Sequence, residues 1–110
     1  MEYRHQNLFG GQGEVTVLDL AAGVAPSPFT AVLACQLAPL GTVGPHSQAV
    51  DSEIVIVTSG EGQAQIDGVG HALSPGIILG LPLGSVLALA NTSSEHPLAY
   101  LIVKATPKSA

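Results

Sequence analysis

The sequence predicts an all-β domain, a sandwich or barrel of many short strands, and three observations carry that expectation. Apolar residues recur in short β-tolerant runs, and no window sustains an amphipathic 3.6-residue period with a capping signal. Turn-forming clusters separate the runs: AAGVAPSP, PLGTVGP, TSGEG, DGVG, SPG, LPLG and NTSSEHP. At 110 residues the chain has room for one core and little else.

The elements follow in order. Residues 1 to 12 stand apart as an N-terminal arm, a flexible tail or an exchanged edge strand, and 13 to 110 form the barrel domain. Glu14 to Leu20 partly alternates, and Phe29 to Leu37 is an apolar, β-tolerant run. Ile54 to Val57 is β-branched throughout and too short for a helix. Gln63 to Asp67 alternates and then meets Gly68. A short strand around His71, then Ile77 to Leu79, Ser85 to Ala90 and Leu98 to Lys104 complete the set. Many short strands at this spacing mean a sandwich or barrel.

Composition excludes several functions. The chain is 46% hydrophobic, too apolar for a disordered tail, and only 10% charged, against about 25% in an ordinary soluble domain. So few charges leave apolar surface uncovered, and a homodimer is expected to bury part of it. Positive charge is limited to Arg4, Lys104 and Lys108. Nucleic acid and anionic membranes are recognised through Lys and Arg, so neither is an expected partner. The net charge of −5 favours solubility. Cys35 is the single cysteine, which excludes an intramolecular disulfide and fits a reducing compartment. The opening MEYRHQNLFGGQG has no apolar signal core, and the longest apolar stretch, Ile77 to Leu89, is interrupted by Gly80, Pro82 and Gly84. A cytoplasmic location is therefore expected.

Two stretches carry the chemistry. The first is Gly41-Thr-Val-Gly-Pro-His46-Ser-Gln48-Ala-Val-Asp-Ser-Glu53, continuing to Gly60. The second runs from Gly76 through Pro82, Gly84 and Leu87 to Asn91. On a strand, residues two apart share a face, so His46 and Gln48 point the same way. A tight connection at Ala49 to Ser52 brings Glu53 back beside them, and about 20 Å of strand then crosses a small barrel to Gly60. Together the stretches resemble the paired motifs of the cupin family, G-x5-H-x-H-x3,4-E-x6-G and G-x5-P-x-G-x2-H-x3-N. Three positions depart: one residue fewer follows Gly41, Gln48 replaces the second histidine, and Leu87 replaces the third.

The resemblance implies a double-stranded β-helix, the jelly-roll cupin barrel, with four side chains converging on one pocket. In the family they hold a divalent metal. Here the set is His46, Gln48, Glu53 and Leu87, and the implied metal ligands are His46, Gln48 and Glu53, for zinc, nickel, manganese or iron. Leu87 cannot coordinate, and an amide oxygen is a weaker donor than imidazole for such metals. A four-ligand zinc site is worth about 10–16 kcal/mol, so losing one imidazole costs about 100-fold in affinity. The leading expectation is thus a small-molecule-binding cupin with a degenerate metal site, Gln48 and Leu87 lining its pocket. One alternative is a metal-dependent isomerase or dioxygenase. Another is a metal-free acid-base isomerase with His46 and Glu53 as catalytic pair, since a carboxylate beside an imidazole can exchange a proton near neutral pH. Without metal or catalysis, the two form a buried hydrogen-bonded pair.

The other titratable residues point elsewhere. His5 in the arm, His71 beside Gly70 and His96 before Pro97 are expected on the surface. Cys35, in an apolar run, is expected to be an inert packed thiol. Gly10-Gly-Gln-Gly13 lacks the Lys-Ser/Thr of a phosphate-binding loop.

Overall fold

Ten strands make up the fold, and a computed structural model describes residues 2–107 of it. Met1 and residues 108–110, the outer ends of the two expected segments, lie outside the described residues. The strands are β1 (Glu2–Gln6), β2 (Glu14–Asp19), β3 (Phe29–Leu37), β4 (Thr42–Ser47) and β5 (Ser52–Ser59). The second half supplies β6 (Gly62–Ile66), β7 (Val69–Leu73), β8 (Ile78–Leu81), β9 (Val86–Asn91) and β10 (Leu98–Ala105).

Two antiparallel sheets result, one ordered β1-β2-β3-β10-β5-β8 and the other β4-β9-β6-β7. This is the jelly-roll barrel that the sequence predicts. Strand alternation sets the core. In β5, Glu53, Val55 and Val57 are buried while Ile54 faces out, 46% exposed. Val15, Leu37, Leu98 and Tyr100 extend that inner face, and Ala64, Leu87 and Leu89 line the opposing sheet.

Turn chemistry explains the connections. Asp67 and Gly68 both have positive φ, 50° and 81°, between paired strands β6 and β7. That is the backbone of a two-residue type I′ hairpin, whose twist matches the strands, and Asp-Gly suits it. Residues that read as turn, PLGTVGP, run instead into β4. Pro45 has no N–H to donate, and the β4–β9 register shifts between Val43 and His46. The strand survives because it breaks step around the proline.

Residues 2–12 lie against the barrel. β1 pairs antiparallel with β2, Gln6 opposite Glu14. A 3-10 turn, Leu8–Gly10, then brings the chain across β4. The crossing is so close that a Cβ on Gly44 would collide with the Phe9 carbonyl, and one on Gly11 with that of Thr42. Glycine is required at both positions for that reason.

Candidate functional site

Four elements bring the expected residues to one cavity of about 430 Å³. β4 carries His46, and the chain just beyond it carries Gln48. Backbone bonds between Gln48 and the Gly84–Ser85 turn, 2.8 Å in each direction, hold that segment in place. β5 contributes Glu53 from the opposite sheet. β9 contributes Leu87, which pairs directly with His46 across the β4–β9 ladder and is 1% exposed. Apolar side chains complete the walls, among them Val17, Leu33, Val43, Leu89 and Ile102.

The polar groups do not pair as expected. The Glu53 carboxylate is almost wholly buried, and its partner is Lys104 of β10, with Nζ 3.3 Å from Oε1. Gln48, buried beside it, donates its amide nitrogen to both carboxylate oxygens at 2.9 and 3.1 Å, in the amide orientation that satisfies its neighbours. His46 is turned elsewhere: Nδ1 lies 3.3 Å from the Gly44 carbonyl, and the ring stacks on Phe9 with centroids 4.1 Å apart. With the proton on Nδ1, Nε2 is left as an acceptor. His46 and Glu53 thus share the cavity without forming the hydrogen-bonded pair.

This donor set does not fit a divalent metal. Among the described residues no three His, Cys, Asp or Glu side chains form a ligand cluster. Both oxygens of the Glu53 carboxylate already accept hydrogen bonds, and a cation already neutralises it. Leu87 puts a hydrocarbon opposite the His46 imidazole.

Several neighbours of the site were not legible beforehand. Lys104 had a signal, as the one charge in the apolar run from Leu98, a position that demands a partner. Phe9 and His5 reach the cavity from the N-terminal segment, so His5, although exposed, stands at its mouth. Cys35 and Tyr100 lie on its wall. Burial pushes the Cys35 thiol up to about 12, with the Glu53 charge adding to it and Lys104 opposing. The Tyr100 hydroxyl is pushed well up by the same burial. Cys35 is the inert thiol expected.

The cupin domain model matches residues 34–104, more than half of the chain, and the match spans His46, Gln48, Glu53, Leu87 and Lys104. The chain belongs to the cupin family. Solved cupin structures share the barrel. A predicted oxalate decarboxylase from Thermotoga maritima superposes with a TM-score of 0.88 at 24% identity, covering 97% of this chain and 93% of that one. A cupin protein from Bacteroides fragilis gives 0.73 at 23% identity, with coverage of 86% and 79%. A cupin-superfamily sugar phosphate isomerase from Silicibacter pomeroyi gives 0.70 at 23%, covering 84% of this cupin and 60% of its own chain. Among curated proteins none matches the chain. Identities this low speak to the fold alone. No helix of the described residues is long and apolar enough to cross a membrane.

Proposed function

We propose that this cupin binds a small molecule in its barrel and does so without a divalent metal. The observation that carries the reading is the cavity itself, about 430 Å³ with apolar walls and His46, Gln48, Glu53 and Lys104 among its polar groups. That volume suits a small ligand, and such an arrangement, mostly apolar with a few convergent polar groups, is how small-molecule pockets are built. The fitting ligand has an apolar body and an oxygen acceptor that meets the Lys104 ammonium. A sugar phosphate, the substrate class of the Silicibacter relative, fits less well, because a phosphate seeks several cations and Lys104 is already paired with Glu53.

The acid-base reading, with His46 and Glu53 as catalytic residues, keeps one supporting feature: both line the same cavity. The metal-dependent reading, with His46, Gln48 and Glu53 as ligands to zinc, nickel, manganese or iron, requires Lys104 and Gln48 to release the carboxylate.

The test is a thermal-shift screen of small carboxylates, ketones and sugar phosphates, with hits repeated on His46→Ala and Glu53→Gln. A ligand that stabilises the protein and loses that effect in the variants supports the pocket. Variants that bind but no longer convert a ligand point to catalysis. Elemental analysis showing one divalent metal per chain, lost in Glu53→Gln, overturns the proposal in favour of the metal enzyme.

A further inference from the structure

The inner row of β10 reads Leu98, Tyr100, Ile102 and Lys104, so alternation delivers a lysine to the barrel interior at the end of an apolar series. Register places Glu53 of β5 directly opposite. The result is an ion pair with unequal burial: the carboxylate is 4% exposed and the lysine side chain 35%. The lysine reaches inward from the rim to a carboxylate sealed in the wall. Gln48 closes the other side of the same carboxylate. Every atom that would turn Glu53 toward a metal is therefore engaged by an N–H donor. A divalent ion at His46 and Glu53 would sit near an ammonium in a low-dielectric site, where like charges repel strongly.

We infer that Lys104 is the resident cation of this pocket: its ammonium supplies the counter-charge to Glu53 that a divalent metal would supply, and it keeps such a metal out. Leu87 is the matching change on the opposite sheet, because with the charge provided internally a third imidazole has nothing to bind. The inference builds on the metal-free reading above and names the residue responsible for it.

Calorimetric titration with zinc, nickel and manganese salts tests it, with circular dichroism confirming that each variant is folded. The wild type and Lys104→Arg, which keeps the charge, should show no binding tighter than about millimolar. Lys104→Met should gain about tenfold or more in affinity, and adding Glu53→Gln should abolish the gain. Leu87→His alone should gain little, whereas Lys104→Met with Leu87→His should gain more than the two single changes combined. Lys104→Gln retains a donor to Glu53 and serves where Lys104→Met does not fold. Folded neutral variants with wild-type metal affinity overturn the role of Lys104 and leave the metal-free pocket standing. A wild type that binds metal through Glu53 at micromolar affinity overturns both.

Discussion

Lys104 stands directly opposite Glu53 across paired strands β10 and β5, its Nζ 3.3 Å from Oε1, so one cross-strand pair joins the cavity's cation to its buried carboxylate. Removing one partner of a fully buried pair costs about 3–5 kcal/mol, because the other charge is left alone. Lys104 is one-third exposed, so solvent takes up part of that cost, and Lys104→Met should destabilise the protein by about 1–3 kcal/mol. The double change Glu53→Gln, Lys104→Met should recover much of the loss, since it leaves no unpaired charge. Urea denaturation of the four proteins measures the coupling. Strictly additive losses would show that the two groups do not interact.

Asn91, the last residue of the second motif, is a structural clamp. Its Nδ2 donates toward the carbonyls of Leu37 and Ala38 at 3.1 Å and of His96 at 2.9 Å, and its Oδ1 accepts from the Ser93 N–H at 2.9 Å. Asn91→Ala should cost about 2–3 kcal/mol by stranding buried carbonyls. Asn91→Asp should cost more at neutral pH, since it turns a carboxylate toward three acceptors. Chemical denaturation checks both, and an aspartate variant as stable as wild type would contradict the clamp.

Cys35 makes stability fall at alkaline pH. Its thiol is raised from 9.0 to about 12 by burial, then by Glu53, so the folded state keeps a proton that the unfolded state releases. The contribution is complete below about pH 9 and is lost as pH climbs toward about 12. Tyr100, raised by burial too, acts in the same direction. Cys35→Ala should flatten the decline across that window in pH-dependent melting curves. Labelling of native Cys35 near pH 8 should run about 1000-fold slower than for a free thiol, in line with three decades less thiolate. Rapid labelling of the folded protein would refute the assignment.

The outer face of the larger sheet motivates a dimer. Leu18, Ala34, Leu101, Ile56 and Ile78 stand in register across five strands and form an apolar row. Leu18 and Ile78 are 41% and 64% exposed. We propose that a second copy of the chain covers this row, since exposed apolar surface of that extent is rare on monomers. Light scattering should give about twice 11.1 kDa, and Ile56→Lys with Ile78→Lys should halve it. A clean wild-type monomer at micromolar concentration rules the dimer out.

Legibility differed between elements for physical reasons. β3 coincides with the run Phe29 to Leu37, because its β-tolerant apolar residues suit a strand whose inner positions, Cys35 and Leu37, are buried. β6 and β7 were visible through Asp67-Gly68, whose turn chemistry is local. β1 was not readable as a paired strand, since none of its residues is buried and its pairing with β2 is made by backbone groups every sequence possesses. The start of β4 was hidden by Gly44 and Pro45, which signal a turn when taken alone.

By itself the sequence determined the all-β class through strand period, and through the resemblance of its two motifs it gave the barrel and the four residues His46, Gln48, Glu53 and Leu87 that share its cavity. The tertiary structure alone decided how those residues pair. Lys104 lies 51 positions after Glu53 along the chain, and only the β5–β10 register sets one against the other. Phe9 meets His46 because the N-terminal segment crosses β4 at two glycines. Such contacts depend on distances through space, so the charge that Glu53 faces could be seen only once the strands were in place.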